Sequence, residues 1–339
     1  MESIKVGAIG FGYWGPNLVR NFVENPSSEM VIIADLKKER LSKITESYPQ
    51  VIVTNDYKEL FNLDLDAVVI ATPPGTHYPL AKECLEHGLH VLVEKPMTLN
   101  SQHAEELIDI SKNKGLVLMV GHTFEYNVAV QTLKNLIDSG ELGQIYYVDA
   151  ARLNLGLFQR DLNVIWDLAP HDISILLYIL GTTPLSVSAH GMPFVNEGIQ
   201  DVVYINMVFP NNILAHIHVS WLDPCKVRRV TVVGSKKMVV YNDIESLEKI
   251  RIYDKGVEKP PYTETFGDFQ LSYRYGDVVI PNIRLTEPLQ KECQHFLDCI
   301  INHSIPQSDG QDGLHVVKII EAAQRSLSEN GKHQEVIQW

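Results

Sequence analysis

A glycine-spaced turn between a strand pattern and a helix pattern constrains this chain most. Gly10-Phe11-Gly12-Tyr13-Trp14-Gly15 follows the apolar run 4–9 and opens the helix-periodic stretch 15–24. Asp35 closes a second apolar run, 30–34, and stands 20 residues after Gly15. The spacing G-x-G-x-x-G alone is common. Between strand and helix, with an acid at that distance, it specifies a βαβ unit that holds a dinucleotide. Gly10 permits the tight turn, Gly12 lets the backbone approach a diphosphate, and Gly15 lets helix and strand pack closely. The diphosphate would lie on the helix N-terminus, where free N–H groups and the dipole favour anions. Phe11, Tyr13 and Trp14 fill the turn and are counted with the glycines as cofactor-binding. Asp35 would accept hydrogen bonds from ribose hydroxyls, and a 2′-phosphate there meets a like charge. NAD is therefore expected rather than NADP. Lys37, Lys38 and Arg40 lie just beyond. They either greet a phosphate or form a solvated helix face, and the second reading is preferred.

The rest of the first third keeps the same rhythm. Helix patterns at 37–47, 78–87 and 104–112 alternate with apolar runs at 66–71, 90–93 and 116–120. Near-continuous Val/Ile runs between helices indicate strands covered on both faces, hence a parallel sheet. After Gly121 the rhythm changes. Helices are expected at 128–138 and 168–180, then strands in succession at 201–209, 213–221, 227–233, 237–241 and 249–253. Strands without intervening helices favour an antiparallel sheet. Residues 254–286, with Pro260, Pro261 and Pro281, read as an irregular excursion, and helices at 288–302 and 314–329 close the chain. The expectation is an α/β protein: an N-terminal Rossmann domain, 1–122, and a C-terminal α+β domain, 123–339, with a large open, mainly antiparallel sheet.

Composition removes several function classes. The chain has 339 residues and a formal net charge of −13, shared as −5 over residues 1–122 (11 basic, 16 acidic) and −8 beyond (18 basic, 26 acidic). Nucleic-acid binding needs clustered Lys and Arg, so nucleic acid is not expected as a partner. Cys84, Cys225, Cys293 and Cys299 form no C-x-x-C pair, which argues against zinc and for a reducing cytoplasm. The N-terminus lacks a signal-peptide pattern, and the apolar run 173–180 is too short to span a bilayer, so no membrane is expected.

Candidate chemistry sits in three places. The loop Thr72-Pro73-Pro74-Gly75-Thr76-His77 follows a strand end, where such folds bind ligands. Thr72, Pro73 and His77 are candidate cofactor contacts, although His77 equally suits a helix cap. Val93-Glu94-Lys95-Pro96 lies at the next strand end. A Lys there can hold a substrate hydroxyl and stabilise a developing alkoxide. Glu94 can pair with that Lys or with a ribose. Third, Asp167 and His171 are four residues apart on one helix and can meet on one face. A carboxylate beside an imidazole orients it and raises its pKa, as general acid–base work on an alcohol/ketone pair requires. Alternatively Asp167 is an N-cap and His171 an ordinary half-buried histidine.

Weaker signals are His216 with His218, a possible metal pair lacking a third ligand and read as sheet residues. Arg228 and Arg229 could meet an anion, and Arg152, Arg160 and His122 remain ambiguous. No metal site is expected.

The ordered set GFGYWG (10–15), Asp35, ATPPGTH (71–77), VEKP (93–96), GHTF (121–124) and WDLAPHD (166–172) resembles the glucose–fructose oxidoreductase / inositol dehydrogenase / MocA family across nearly the whole chain. GYWGPN and GHTFEYN further resemble the branch that acts on nucleotide sugars, such as UDP-N-acetylglucosamine 3-dehydrogenases. The resemblance implies an active site between the domains, with Lys95, Asp167 and His171 as its catalytic residues. The place three beyond the His, often acidic in the family, holds Ser174. Asp172 is present but receives no assigned role.

The expectation is an NAD-dependent oxidoreductase acting on a secondary hydroxyl of a sugar or nucleotide sugar, as a homodimer or homotetramer. Two alternatives stand beside it. One is a lyase, glycosidase or epimerase that keeps NAD bound and oxidises only transiently. The other is a non-catalytic dinucleotide sensor, against which the joint presence of Lys95, Asp167 and His171 argues.

Overall fold

The computed structural model describes residues 3–159, 161–258 and 272–336. Among these the order is β1 (Ile4–Ile9), α1 (Gly15–Glu24), β2 (Ser28–Ala34), α2 (Lys38–Ser47), β3 (Ile52–Thr54), β4 (Ala67–Ile70), α3 (His77–Glu86), β5 (His90–Glu94), α4 (Ser101–Lys114) and β6 (Leu118–Gly121). There follow α5 (Val128–Asp138), β7 (Ile145–Leu153), α6 (Val164–Leu180), β8 (Ser186–Met192), β9 (Val202–Phe209), β10 (Ile213–Ser220), β11 (Val227–Gly234), β12 (Met238–Asn242), β13 (Ile250–Glu258) and β14 (Ser272–Val279). The chain closes with α7 (Pro288–Asn302), α8 (Gly310–Ser328) and β15 (Gln334–Glu335). Two compact units result. The first comprises Met1–Tyr126 and Thr286–Lys318, the second Asn127–Leu285 and Ile319–Trp339.

In the first unit six parallel strands run in the order β3-β2-β1-β4-β5-β6. The order reverses between β1 and β4, and the carboxyl ends beside that point form the ligand crevice of such sheets. Every residue of β4 and β6 is buried, so these strands are covered on both faces. Val6, Ala8 and Val69 pack into one core with Phe22 of α1, while Val68, Ile70 and Val91 pack into another with Leu107 of α4. The segment Thr286–Lys318 completes the first core. Leu289, Cys293, Phe296 and Leu297 of α7 are buried in it, and the Phe296 ring meets Phe22 edge-on at 6.3 Å. Sequence periodicity had no means of assigning α7 to this side of the protein, because the contacts span more than 250 residues.

The second unit is a nine-stranded sheet in the order β14-β13-β12-β11-β7-β10-β9-β8-β15. Every pairing is antiparallel except β7 with β10. One face carries the apolar helix α6, whose Ile173, Leu176 and Ile179 are fully buried. The other face exposes Tyr147, Tyr204, Leu214 and Met192. Two sequence expectations change here. β7 and β8 were missing from the reading, and β7 is the central strand. Residues 254–258 and 272–279 are not irregular but belong to the paired strands β13 and β14. Pro260 and Pro261 lie outside the described residues. Among the described residues no helix is long and apolar enough to cross a membrane.

Candidate dinucleotide and acid–base sites

The glycine turn is built as its spacing demands. Gly10 has φ +98°, and a Cβ there would lie 2.5 Å from the Ala71 carbonyl oxygen. A Cβ on Gly15 would run into the Gly10 carbonyl. Both positions exclude a side chain. Pro16 occupies the first turn of α1, and Trp14 at its N-cap supplies no side-chain cap. The helix therefore presents its N-terminus to an anion. Tyr13 is 91% exposed beside it.

Asp35 follows β2. Its Oδ2 accepts the Phe11 N–H at 2.7 Å, and its Oδ1 accepts the Lys37 N–H at 2.8 Å. Arg40 Nη1 donates to Oδ2 at 2.9 Å. Burial pushes the carboxyl pKa up, but the two backbone donors and Arg40 outweigh it and hold it below the usual value. The solvated-helix-face reading of Arg40 is thus corrected: it is folded onto Asp35, and a Cβ on Gly12 would lie 3.6 Å from its Nη1. Sequence reasoning passed over Leu36, which is 88% exposed directly after Asp35. An apolar side chain left in water beside Asp35 is what singles it out in the structure.

The loop after β4 is tied down internally. Thr76 Oγ1 donates to Thr72 Oγ1 and is 2.7 Å from the Pro73 carbonyl. His77 is turned inward and buried, with Nδ1 2.8 Å from the Pro96 carbonyl and Nε2 2.8 Å from the Thr72 carbonyl. It neither caps α3 nor faces outward; it staples this loop to the loop after β5. Burial holds its pKa low, so one ring N–H does the donating.

At the end of β5, Glu94 lies against Gly121, where a Cβ would come within 3.0 Å of its carboxyl. Removal from water raises Glu94 to about 7, against the pull of Lys95 and its backbone N–H. Half-buried Lys95 follows, joined to Pro96 by a cis peptide. Two further buried groups stand in this unit. Glu292 of α7 accepts the Thr123 hydroxyl at 2.7 Å on Oε2, and its Oε1 has no partner among the described residues. His122 has neither ring nitrogen bonded among them, and burial, then Lys95, lowers its pKa to about 3. His122 was ambiguous in the sequence and Glu292 was not singled out.

In the second unit α6 starts four residues earlier than the pattern suggested. Asn163 is its N-cap, with Oδ1 accepting the Ile165 N–H at 3.2 Å. The capping alternative for Asp167 therefore falls. Its Oδ2 instead accepts the Trp221 indole N–H at 2.8 Å. His171 follows one turn later, on the same face by helical spacing.

Asp172 forms a buried two-bond pair with Arg152, 2.8 and 3.0 Å, which gives both a structural use. His216 bonds Asn206 and, like His218, stacks on Tyr204, so both are sheet residues. Among the described residues no cluster of three or more His, Cys, Asp or Glu side chains suits a metal. Arg228 pairs with Asp243 at 3.4 Å. Arg160 lies outside the described residues.

The model of the GFO/IDH/MocA oxidoreductase family with NAD-binding Rossmann fold matches residues 4–122, and that of the GFO/IDH/MocA C-terminal domain matches 130–240. YdgJ, an uncharacterized oxidoreductase of Escherichia coli (strain K12), is 30% identical over 261 residues, 73% of this chain and 74% of that protein. UDP-N-acetylglucosamine 3-dehydrogenase of Acidithiobacillus ferrooxidans is 26% identical over 324 residues, 94% and 95% of the two chains. The crystal structure of GenD2 from gentamicin A biosynthesis, in complex with NAD, superimposes with a TM-score of 0.84 at 20% identity, covering 100% of this chain and 97% of that one. At that identity the likeness is one of fold.

Proposed function

We propose that this chain, which belongs to the GFO/IDH/MocA oxidoreductase family, is an NAD-dependent dehydrogenase for a secondary hydroxyl of a sugar carried on a nucleotide. The observation that carries the reading is Asp167: its carboxylate is not used as a cap and sits one turn before His171. The residues around the glycine turn fit a dinucleotide, because the Ala71 and Gly10 carbonyls exclude side chains at Gly10 and Gly15 and so keep the turn tight, Gly12 leaves its backbone open with nothing nearer than Arg40, and the helix N-terminus has no side-chain cap. Asp35 would hold the adenosine ribose and Leu36 would cover the adenine. When bound, the dinucleotide supplies the hydride acceptor.

The chain's own residues do the rest. The Lys95 ammonium would hold the substrate oxygen and stabilise the alkoxide that develops there. A ring nitrogen of His171 takes the hydroxyl proton, and Asp167 favours the imidazolium so formed. In the direction of ketone reduction the same nitrogen returns the proton. The relative named for UDP-N-acetylglucosamine supports the nucleotide-sugar part. Four free cysteines, three of them buried, suit a reducing cytoplasm.

A panel of UDP-, dTDP- and free sugars, followed by NADH formation, tests the proposal. Nucleotide sugars should turn over. Lys95→Met and His171→Ala should each lose roughly 10²–10⁴-fold in turnover while NADH affinity, measured by fluorescence, stays unchanged. A fully active His171→Ala protein removes the mechanism. Turnover of free sugars alone removes the nucleotide.

A further inference from the structure

Trp221 stands immediately after β10 and is 1% exposed. Its backbone is fixed on both sides. Its N–H donates to the Asp201 carbonyl at 2.9 Å, and its carbonyl accepts the Gly156 N–H at 2.9 Å. The ring is fixed as well. Gly156 lies so close that a Cβ there would stand 2.9 Å from Trp221 Cδ1, and the Phe158 ring meets the indole at 5.8 Å, inclined by 64°. A side chain packed this way, on a backbone bonded at both its N–H and its carbonyl, has the direction of its indole N–H set by β10 and the 156–158 segment rather than by α6.

That N–H is spent on Asp167 Oδ2, at 2.8 Å. A buried Trp satisfied only for packing needs any acceptor, and backbone carbonyls are plentiful at a strand end. Here the acceptor is the one carboxylate placed a turn before His171. A bond to an ionised acceptor is roughly twice as strong as a neutral one, and it fixes one carboxylate oxygen in place.

We infer that Trp221 is a positioning residue for the Asp167–His171 pair, holding the carboxylate and drawing off part of its charge. This rests on the acid–base role proposed above for the pair. Without the indole, Asp167 would carry its full charge toward the imidazole but would no longer be held in one orientation.

The test is the titration of His171 followed by NMR in histidine-labelled protein, with the signal assigned from His171→Gln. Trp221→Phe keeps the ring and removes the donor. It should raise the His171 midpoint by roughly several tenths of a unit and lower kcat roughly tenfold at unchanged sugar KM. In an Asp167→Asn background the same substitution should move the midpoint no further. An unchanged midpoint in Trp221→Phe overturns the inference, and so does an equal shift in the Asp167→Asn background, which would mean that Trp221 acts through packing. An Asp167→Asn protein whose His171 titrates as in the wild type instead sinks the pair itself. Should Trp221→Phe fail to fold, the Trp221 indole ¹⁵N–¹H resonance is read in the wild type and in Asp167→Asn. It should move between the two, and a fixed resonance overturns the inference.

Discussion

Asp35 is bonded by two backbone N–H groups and by Arg40. A carboxylate so engaged retains room for a ribose hydroxyl, and the adjoining guanidinium partly cancels the charge that would repel a 2′-phosphate. The two side chains therefore push cofactor choice in opposite directions. NADH should bind about tenfold more tightly than NADPH, a difference of roughly 1.4 kcal/mol. Arg40→Ala should widen that ratio by removing the guanidinium bonded to Asp35, and Asp35→Ala should narrow or invert it. Parallel fluorescence titrations with NADH and NADPH read both. A ratio unchanged in Arg40→Ala would mean that the guanidinium serves Asp35 alone. The glycines and Asp35 were legible as residue types at fixed spacings, whereas Lys95, Asp167 and His171 were singled out as catalytic through the family resemblance, their spacing alone leaving a cap and an ordinary histidine open. Arg40 and Trp221 were legible in neither way, because their meaning lies in the partner reached, across a turn for one and across 54 residues for the other.

Legibility differed between elements for physical reasons. Strands buried on both faces, such as β1 and β4, announce themselves as unbroken apolar runs. β7 lies in the middle of its sheet, yet its sequence IYYVDAARL mixes Asp149 and Arg152 with tyrosines. Its outer face is uncovered and its inner Arg152 is neutralised by Asp172, so no apolar run marks it. The start of α6 was misread because Pro170 looks like a first-turn residue, whereas it lies inside the helix and Asn163 does the capping. The exposed sheet face with Tyr147, Tyr204, Leu214 and Met192 is the surface we propose for self-association into a dimer or tetramer, since these four large side chains all stand on one face of the sheet. Light scattering of the wild type should give a multiple of 38.3 kDa. Leu214→Glu with Tyr204→Glu should give the single-chain mass without loss of helix or strand signal. A wild type already at the single-chain mass would refute this use of the face.

At the scale of the whole molecule, the first unit carries an unusual load of buried acid. Glu94 and Asp312 are raised to about 7, and Glu125 and Glu292 well above the ordinary carboxylate value, in each case chiefly by burial. A carboxyl raised in the folded state binds its proton more tightly folded than unfolded. Its stabilisation is complete below the unfolded pKa, near 4, and is lost as pH rises through the folded value. Asp35, lowered in the folded state, has the opposite sign and weakens the fold only as pH falls through its own range. Thermal unfolding should therefore move to lower temperature between about pH 5 and pH 8. Glu292→Gln, which keeps the Thr123 contact and cannot ionise, should flatten that slope. A slope unchanged in Glu292→Gln would assign the effect to the other carboxyls.

The placement of α7 has a consequence for how the protein is made. The core formed by Val6 and Val69 of the first sheet and Phe22 of α1 is closed by Leu289, Phe296 and Leu297, which leave the ribosome only after residues 127–285 of the second unit have been synthesised. During that interval the nascent dinucleotide unit holds an open apolar surface, the kind of state on which chaperones act. Expressed alone, residues 1–126 should partition into aggregates. The same fragment fused through a flexible linker to residues 286–318 should stay in solution and bind NADH. A soluble, cofactor-binding 1–126 fragment would show that the late segment is dispensable for closing the core.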